Sequence, residues 1–286
     1  MIEVLKAVLF GIVEGITEWL PVSSTGHLIL LNEFINLNVS EEFQSMFDVV
    51  IQLGAILAVC ALFFRKLNPF DRGKNDEQKK QTWTLWFKVI AAIIPSGVVG
   101  VLFDDWMDTH LHNGIVVAVM LIVYGVAFIA VEKWNEHREL RYHDVNNLPW
   151  GTAMIIGVSQ CLSLVPGTSR SGSTILGGIL AGVSRGTAAE FSFFMAIPTM
   201  VGASGIKLLK FFLSGVSFTA MDMLILLVGC TVSYIVSLLV IKGLMNYVRK
   251  HSFSAFGVFL MKQFYEGVPT ELCEAARIDG LSEKSE

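Results

Sequence analysis

The sequence predicts an all-α polytopic membrane protein, and three observations carry that reading. Of its 286 residues, 53% are hydrophobic and 16% charged, where an ordinary soluble domain has about 25% charged residues. Five apolar stretches, 47–64, 85–103, 114–131, 191–213 and 223–241, approach the roughly 20 residues that a helix needs to cross a hydrocarbon core of about 30 Å. Lys and Arg concentrate in alternate connections between them, the asymmetry produced when positive charge stays on the cytoplasmic side.

Arg65, Lys66, Arg72, Lys74, Lys79 and Lys80 follow the first stretch. Lys133, Arg138 and Arg141 follow the third, and Lys242, Arg249 and Lys250 the fifth. These connections are expected inside. The second and third stretches are joined by a loop holding Asp104, Asp105 and Asp108 without Lys or Arg, expected outside. The formal charge of −4 is spread among the loops, with no basic stripe of the kind that nucleic acid requires. Cys60, Cys161, Cys230 and Cys273 are widely spaced and read as small hydrophobes rather than metal ligands or a disulfide framework. The first residues carry Glu3, Lys6, Glu14 and Glu18 without a small-residue cleavage site, so a removable signal peptide is not expected.

Two further apolar regions are broken midway. The first runs from Ile2 to Leu20, stops at Pro21-Val22-Ser23-Ser24-Thr25-Gly26 and resumes from His27 to Leu31. The second runs from Thr152 to Val165, stops at Pro166-Gly167-Thr168-Ser169-Arg170-Ser171-Gly172 and resumes from Ser173 to Val183. Each second arm is too short to cross. Both regions are therefore expected to be re-entrant helix hairpins, which are tolerated at membrane depth when buried in protein or lining a cavity. An offset of 146 lays Gly11 on Gly157, Glu14 on Gln160, Ser23 on Ser169, Thr25 on Ser171 and Gly26 on Gly172. An offset of 148 lays Glu42-Phe43 on Glu190-Phe191 and Gly54-Ala55 on Gly202-Ala203. Three spans separate the hairpins, an odd number. The halves, about 1–131 and 148–259 of a membrane domain 1–259, are thus expected to be inverted repeats with a site near the midplane.

Glu14 and Glu18 are four apart, hence on one helical face, within an apolar segment. Two such carboxylates call for a proton on one of them, or for a divalent cation held between them and substrate phosphates. Ser23, Ser24 and Thr25 precede Gly26 and His27 at an expected helix start, whose free N–H groups and dipole attract phosphate. Ser169, Ser171 and Thr174 repeat the pattern, with Gly172 for close backbone approach and Arg170 as a fork for phosphate oxygens. Inversion aims both helix starts at one spot, and a diphosphate has the size and charge for such a pair. His27 is a candidate general acid or base. Ser24 is either a nucleophile or a cap beside an attacking water. Asp48, Gln52 and Glu190 are expected to orient these groups.

The run Glu14-Gly15-Ile16-Thr17-Glu18-Trp19-Leu20-Pro21-Val22-Ser23-Ser24-Thr25-Gly26-His27 resembles the glutamate-rich and SSTGH motifs of the undecaprenyl-diphosphate phosphatase family, also called bacitracin-resistance proteins. Pro166-Gly167-Thr168-Ser169-Arg170-Ser171-Gly172-Ser173-Thr174 resembles its PGxSRSGxT motif, and the similarity runs from residue 1 to about 259. The resemblance implies two hairpins plus six spans, and Mg²⁺- or Ca²⁺-assisted hydrolysis of undecaprenyl diphosphate to the monophosphate. It also implies a cavity facing outward from a bacterial plasma membrane, recycling of the lipid carrier for cell-wall synthesis, and bacitracin resistance. The family's motif glutamates fall on Glu14 and Glu18, also the expected metal ligands; its serine falls on Ser24, its histidine on His27 and its phosphate-binding arginine on Arg170. The partners expected are a polyprenyl diphosphate lipid and the bilayer; a homodimer is an open expectation.

At Met261-Lys262-Gln263 the sequence turns polar where that family runs a sixth span, and 266–280 instead resembles the cytoplasmic EAA loop of ABC-importer permeases. An atypical polar tail over 260–286 is expected to strip one repeat of its outer wall. Two other readings stay open. A secondary transporter or lipid flippase on the same hairpins predicts translocation without phosphate release, and an ABC permease subunit follows from the tail. The hydroxyl, histidine and arginine cluster favours hydrolysis over both.

Overall fold

A computed structural model of the chain describes residues 1–111 and 114–267. The elements in order are α1 Ile2–Thr17, α2 Ser24–Phe34, α3 Glu41–Leu62, α4 Phe64–Leu67, α5 Asp76–Leu111 and α6 Gly114–Asn135. There follow α7 Trp150–Gln160 with a 3-10 turn at Cys161–Leu164, α8 Arg170–Leu180, α9 Arg185–Leu213, α10 Ala220–Val248 and α11 Ser254–Gly267. Helices α3, α5, α9 and α10 are long and apolar enough to cross a membrane. Helix α6 has 22 residues and carries charge only at Glu132 and Lys133 near its end. Among the described residues Cys60, Cys161 and Cys230 are free thiols; Cys273 lies outside the described residues.

Local chemistry sets the helix starts. Ser40 Oγ accepts the Phe43 N–H at 3.2 Å, and Glu41 and Glu42 occupy the first turn of α3, where the helix dipole favours negative charge. Ser184 caps α9, while Thr219 and Asp222 form a reciprocal capping box on α10.

The breaks in the two apolar regions produce hairpins that close on themselves. Helices α1 and α2 have 16 and 11 residues, about 24 and 17 Å at 1.5 Å per residue, short of a ~30 Å core. Lys6 Nζ donates to Asn36 O at 2.5 Å and the Asn38 N–H to Glu3 Oε2 at 2.8 Å, so the start of α1 meets the end of α2. Arg138 Nη1 donates to Leu180 O at 2.8 Å and the Arg141 N–H to Gly182 O at 2.9 Å, so the approach to α7 meets the end of α8.

Packing follows the repeat. Helix α1 lies along α10 and α7 along α5, while α3 packs on α9 and α6 on α11. The matched glycines stand where these crossings close. A Cβ on Gly11 would lie 2.6 Å from Gly229 O of α10, and one on Gly157 2.2 Å from Ala92 O of α5. Only a hydrogen fits there, the same device that lets small residues draw helices together in bilayers.

Three expectations are corrected. Helix α5 continues to Leu111, so the acidic segment 104–108 belongs to its last turns rather than to a loop. Helix α11 runs through Met261 and Lys262 as a 14-residue element on α6, so that repeat keeps a short outer wall, about 21 Å long. From Val268 onward the stretch resembling an EAA loop lies outside the described residues. Glu190, expected near the hydroxyls, instead accepts from Lys66 Nζ at 2.7 Å, and the same ammonium reaches Asp144 at 3.5 Å. Sequence spacing shows a carboxylate near a span start but not which end of the bundle it faces.

Gly157→Ala is expected to destabilise the detergent-solubilised protein by about 1–3 kcal/mol, through the forced separation of α5 and α7. Gly202→Ala adds a Cβ that meets nothing within 4 Å and is expected to leave Tm unchanged or slightly raised. Equal Tm values for both variants would show that the α5–α7 crossing yields freely.

Candidate active site

Both hairpin turns open onto one cavity of about 190 Å³. Glu18, Ser23, Ser24 and Thr25 line it from the first hairpin; Ser163, Thr168, Ser169, Arg170 and Ser171 line it from the second. Gln52 of α3 and Thr199, Met200 and Ala203 of α9 close the sides. Helices α2 and α8 therefore both begin at this cavity, earlier in sequence than the glycines suggest: Ser24 and Arg170 are already their first residues.

The two starts are built differently. Ser169 Oγ accepts the Gly172 N–H at 3.2 Å, an ordinary cap. Ser23 holds φ 65° and ψ 90° and makes no side-chain cap, a conformation costing a non-glycine residue on the order of 1–3 kcal/mol. Backbone strain of that kind persists where surrounding contacts over-determine it, and here the strained residue lines the cavity.

A buried cluster joins the hairpins. Arg170 Nη2 donates to Glu18 Oε1 at 2.9 Å, Arg170 Nη1 to Ser192 O at 3.1 Å, and Ser24 Oγ to Glu18 Oε2 at 2.6 Å. Ser171 Oγ donates towards Glu18 O at 3.4 Å and Leu20 O at 3.3 Å, and lies 3.1 Å from Ser169 Oγ. A carboxylate and a hydroxyl six residues apart thus share one network on the cavity wall with a guanidinium 152 positions away.

Glu14 is fully buried; its carboxylate oxygens accept from no N–H or O–H donor, and the neighbour they meet is the Glu18 carboxyl. Glu18, Asp48 and Arg170 are the charges close enough to act on it. An orphaned buried carboxylate requires a proton or a cation, and its oxygens suit a hard ion such as Mg²⁺ or Ca²⁺. Among the described residues no three His, Cys, Asp or Glu side chains gather into a metal cage. Mg²⁺ commonly takes only one or two carboxylates and completes its shell with substrate phosphate and water, so the residues present fit that mode.

Glu14, Gly26, His27, Gly172 and Thr174 do not line the cavity; Glu14 lies buried one turn before Glu18, which does. His27 is half-buried, with Nδ1 2.9 Å from Ser23 O and its ring parallel to Phe259 of α11 at 6.2 Å between centroids. Thr174 Oγ1 lies 2.6 Å from Ser192 Oγ and holds α8 against α9. Asp48 accepts from Gln44 Nε2 at 2.7 Å and stands off the cavity, whereas Gln52 one turn further faces it. Sequence reasoning missed Ser163, Thr199 and the Ser192 carbonyl. Part of the signal was available, since Met200 and Ala203 lie 148 positions after Gln52 and Ala55, so the repeat already pointed to α9 as the wall facing α3.

The chain matches the family described as Bacitracin resistance protein BacA over residues 7–262. It is 55% identical over 259 residues to the Undecaprenyl-diphosphatase of Streptococcus thermophilus, covering 91% of this chain and 90% of that protein. It is 56% identical over 256 residues to the Undecaprenyl-diphosphatase of Latilactobacillus sakei, covering 90% and 93%. Against Undecaprenyl-diphosphatase 1 of Clostridioides difficile the identity is 57% over 259 residues, covering 91% and 93%. Both hairpin motifs fall inside the matched region, and the chain belongs to the bacitracin resistance protein BacA family.

Proposed function

We propose that this chain hydrolyses undecaprenyl diphosphate to undecaprenyl phosphate and inorganic phosphate in the cavity between its hairpins. The reaction recycles the lipid carrier of cell-wall synthesis and confers bacitracin resistance. Relatives named for this reaction match nine tenths of the chain. The observation that carries the assignment to this site is the Arg170–Glu18–Ser24 cluster beside two helix N-termini.

Arg170 and the N–H groups opening α2 and α8 bind the terminal phosphate. Ser24 Oγ attacks the terminal phosphorus while Glu18, already its acceptor at 2.6 Å, takes its proton. The new bond to Ser24 forms as the bond from the terminal phosphorus to the bridging oxygen breaks, and undecaprenyl phosphate departs. His27, one turn along α2 and set back from the cavity wall, supplies a proton to the departing oxygen through a bridging water. Water then gives a proton to His27 as its oxygen bonds to phosphorus, the Ser24 Oγ–P bond breaks, and Glu18 returns its proton to Ser24 Oγ, releasing inorganic phosphate and restoring all three groups. Mg²⁺ or Ca²⁺, held by Glu14 with Glu18 beside it, would neutralise charge developing on the phosphate oxygens. Ser23, Thr25, Ser169 and Ser171 hold the non-reacting oxygens, and the apolar tail lies between helices facing the bilayer.

The chain is a multi-pass membrane protein. We place it in the bacterial plasma membrane with the end bearing Lys66, Arg138 and Arg249 inside and the cavity open outward.

In detergent, the parent is expected to release phosphate from a short-chain polyprenyl diphosphate. Arg170→Ala is expected to lower kcat by about 10³ and His27→Ala by about 10², with Arg170→Lys failing to restore the fork. Parental rates in these variants would move the site elsewhere. Lipid translocation by a folded parent that releases no phosphate would favour a flippase.

Rapid acid quenching with labelled terminal phosphate is expected to trap phosphoserine in the parent and none in Ser24→Ala. Fast hydrolysis by Ser24→Ala would make water the direct nucleophile.

Chelation is expected to abolish turnover and added Mg²⁺ or Ca²⁺ to restore it, except in Glu14→Gln. Full activity after exhaustive chelation would leave Glu14 to hold a proton instead.

A further inference from the structure

The two symmetry-related helix crossings offer a comparison inside one molecule. In the crossing of α7 on α5, Gly157 closes over Ala92, Gln160 stands three residues after the glycine and Ser96 four residues after the alanine. Gln160 Nε2 donates to Ser96 Oγ at 2.6 Å, and Ser96 Oγ donates to Ile93 O at 3.0 Å. In the crossing of α1 on α10, Gly11 closes over Gly229, Glu14 stands three residues after the glycine and Ser233 four residues after Gly229.

The register of that second crossing is tightly set. A Cβ on Gly11 would lie 3.2 Å from Ser233 N and one on Gly15 2.9 Å from Ser233 O, so α1 straddles Ser233 with the turn that carries Glu14. One turn further, Ser237 Oγ donates to Gly15 O at 3.3 Å. Ser233 and Glu14 are both fully buried; Ser233 Oγ has no partner, and the Glu14 oxygens accept from no N–H or O–H donor. The chemistry of the pair is the reverse of its counterpart. A carboxamide gives a proton to Ser96, whereas an ionised carboxylate accepts only, and the Ser233 hydroxyl still has its proton to give.

We infer that Ser233 is a positioning residue for the phosphatase reaction. Its hydroxyl donates to the Glu14 carboxylate through one bridging water, and fixes the orientation in which Glu14 turns its other oxygen toward Glu18 and the substrate phosphates. Ser233 does not line the cavity and acts only through Glu14, so the inference rests on the reading of Glu14 as part of the catalytic set.

The test is phosphate release from a short-chain polyprenyl diphosphate by the full detergent-solubilised chain, including single turnovers with excess enzyme to resolve slow rates. Ser233→Ala is expected to lower kcat about tenfold with KM unchanged, the loss of one water-mediated hydrogen bond to a charged group. Ser233→Cys, similar in size but a weak donor, is expected to fall between that variant and the parent. Ser96→Ala, the same change in the sister crossing, is expected to leave both constants within about twofold. In a Glu14→Ala background, which removes the acceptor, Ser233→Ala is expected to cost nothing more in single turnovers, whereas a packing role would subtract the same factor in both backgrounds. Parental kcat in Ser233→Ala, or equal losses in the two backgrounds, overturns the inference and leaves the reading of Glu14 standing. Parental turnover in Glu14→Ala removes the role of Glu14 and that of Ser233 with it.

Discussion

Arg170 and Glu18 meet at 2.9 Å with side chains 13% and 5% exposed, and most of the architecture follows from bringing them there. Taking two charges out of water costs several kcal/mol per ion, which their attraction offsets only when geometry and further hydrogen bonds are good. The second oxygen of Glu18 accepts from Ser24, and the second Arg170 nitrogen is held by Ser192 O. The two residues lie 152 positions apart in separate hairpins. They can meet only if both hairpins stop within the bundle and turn toward each other. Pro21 and Pro166 in the turns, and the close glycine crossings of α1 on α10 and α7 on α5, are the means of arranging that.

A buried pair of this kind is weak evidence for stability, and its value here is as a resting state that substrate can displace. Arg170 Nε is buried without a partner, so the guanidinium has donor capacity in reserve. In the proposed reaction the terminal phosphate takes over the fork. Glu18, relieved of its counter-charge, becomes a stronger acceptor for the proton of Ser24 at the moment that proton must leave. One contact thus couples occupancy of the site to activation of its nucleophile.

Much of this was legible in the sequence because apolar surroundings make polar residues conspicuous. Pro-Val-Ser-Ser and Pro-Gly-Thr-Ser stand out inside membrane-like segments, and the repeat offset located the helix crossings through Gly11 and Gly157. What remained hidden had no side-chain signature or depended on which way a helix turned. The Ser192 carbonyl that holds Arg170 is a backbone atom, equally present at every residue. Glu190 matches Glu42 in the repeat, yet it faces Lys66 at the far end of the bundle, a direction that spacing alone leaves open. The length of α11 was misjudged because Lys262 and Gln263 read as a polar stop, whereas a long side chain at a helix end can reach outward without ending the helix.

The repeat also explains how a nearly symmetric scaffold yields a single chemical site. At the offset of 146, Ser24 stands opposite Arg170, Glu14 opposite Gln160 and Glu18 opposite Leu164. A strictly duplicated site would place four carboxylates around one anionic substrate, or two arginines with no acceptor for the proton. Each replacement removes that conflict locally. Gln160 keeps the shape of Glu14 without its charge and donates its amide N–H to Ser96, and Leu164 removes the counterpart of Glu18 altogether. In the proposed reaction the first repeat is left with the acid–base groups and the second with the phosphate-binding cation. Their pseudo-symmetric helix starts still point at the same cavity, which is why one diphosphate can be gripped from both sides and attacked from only one.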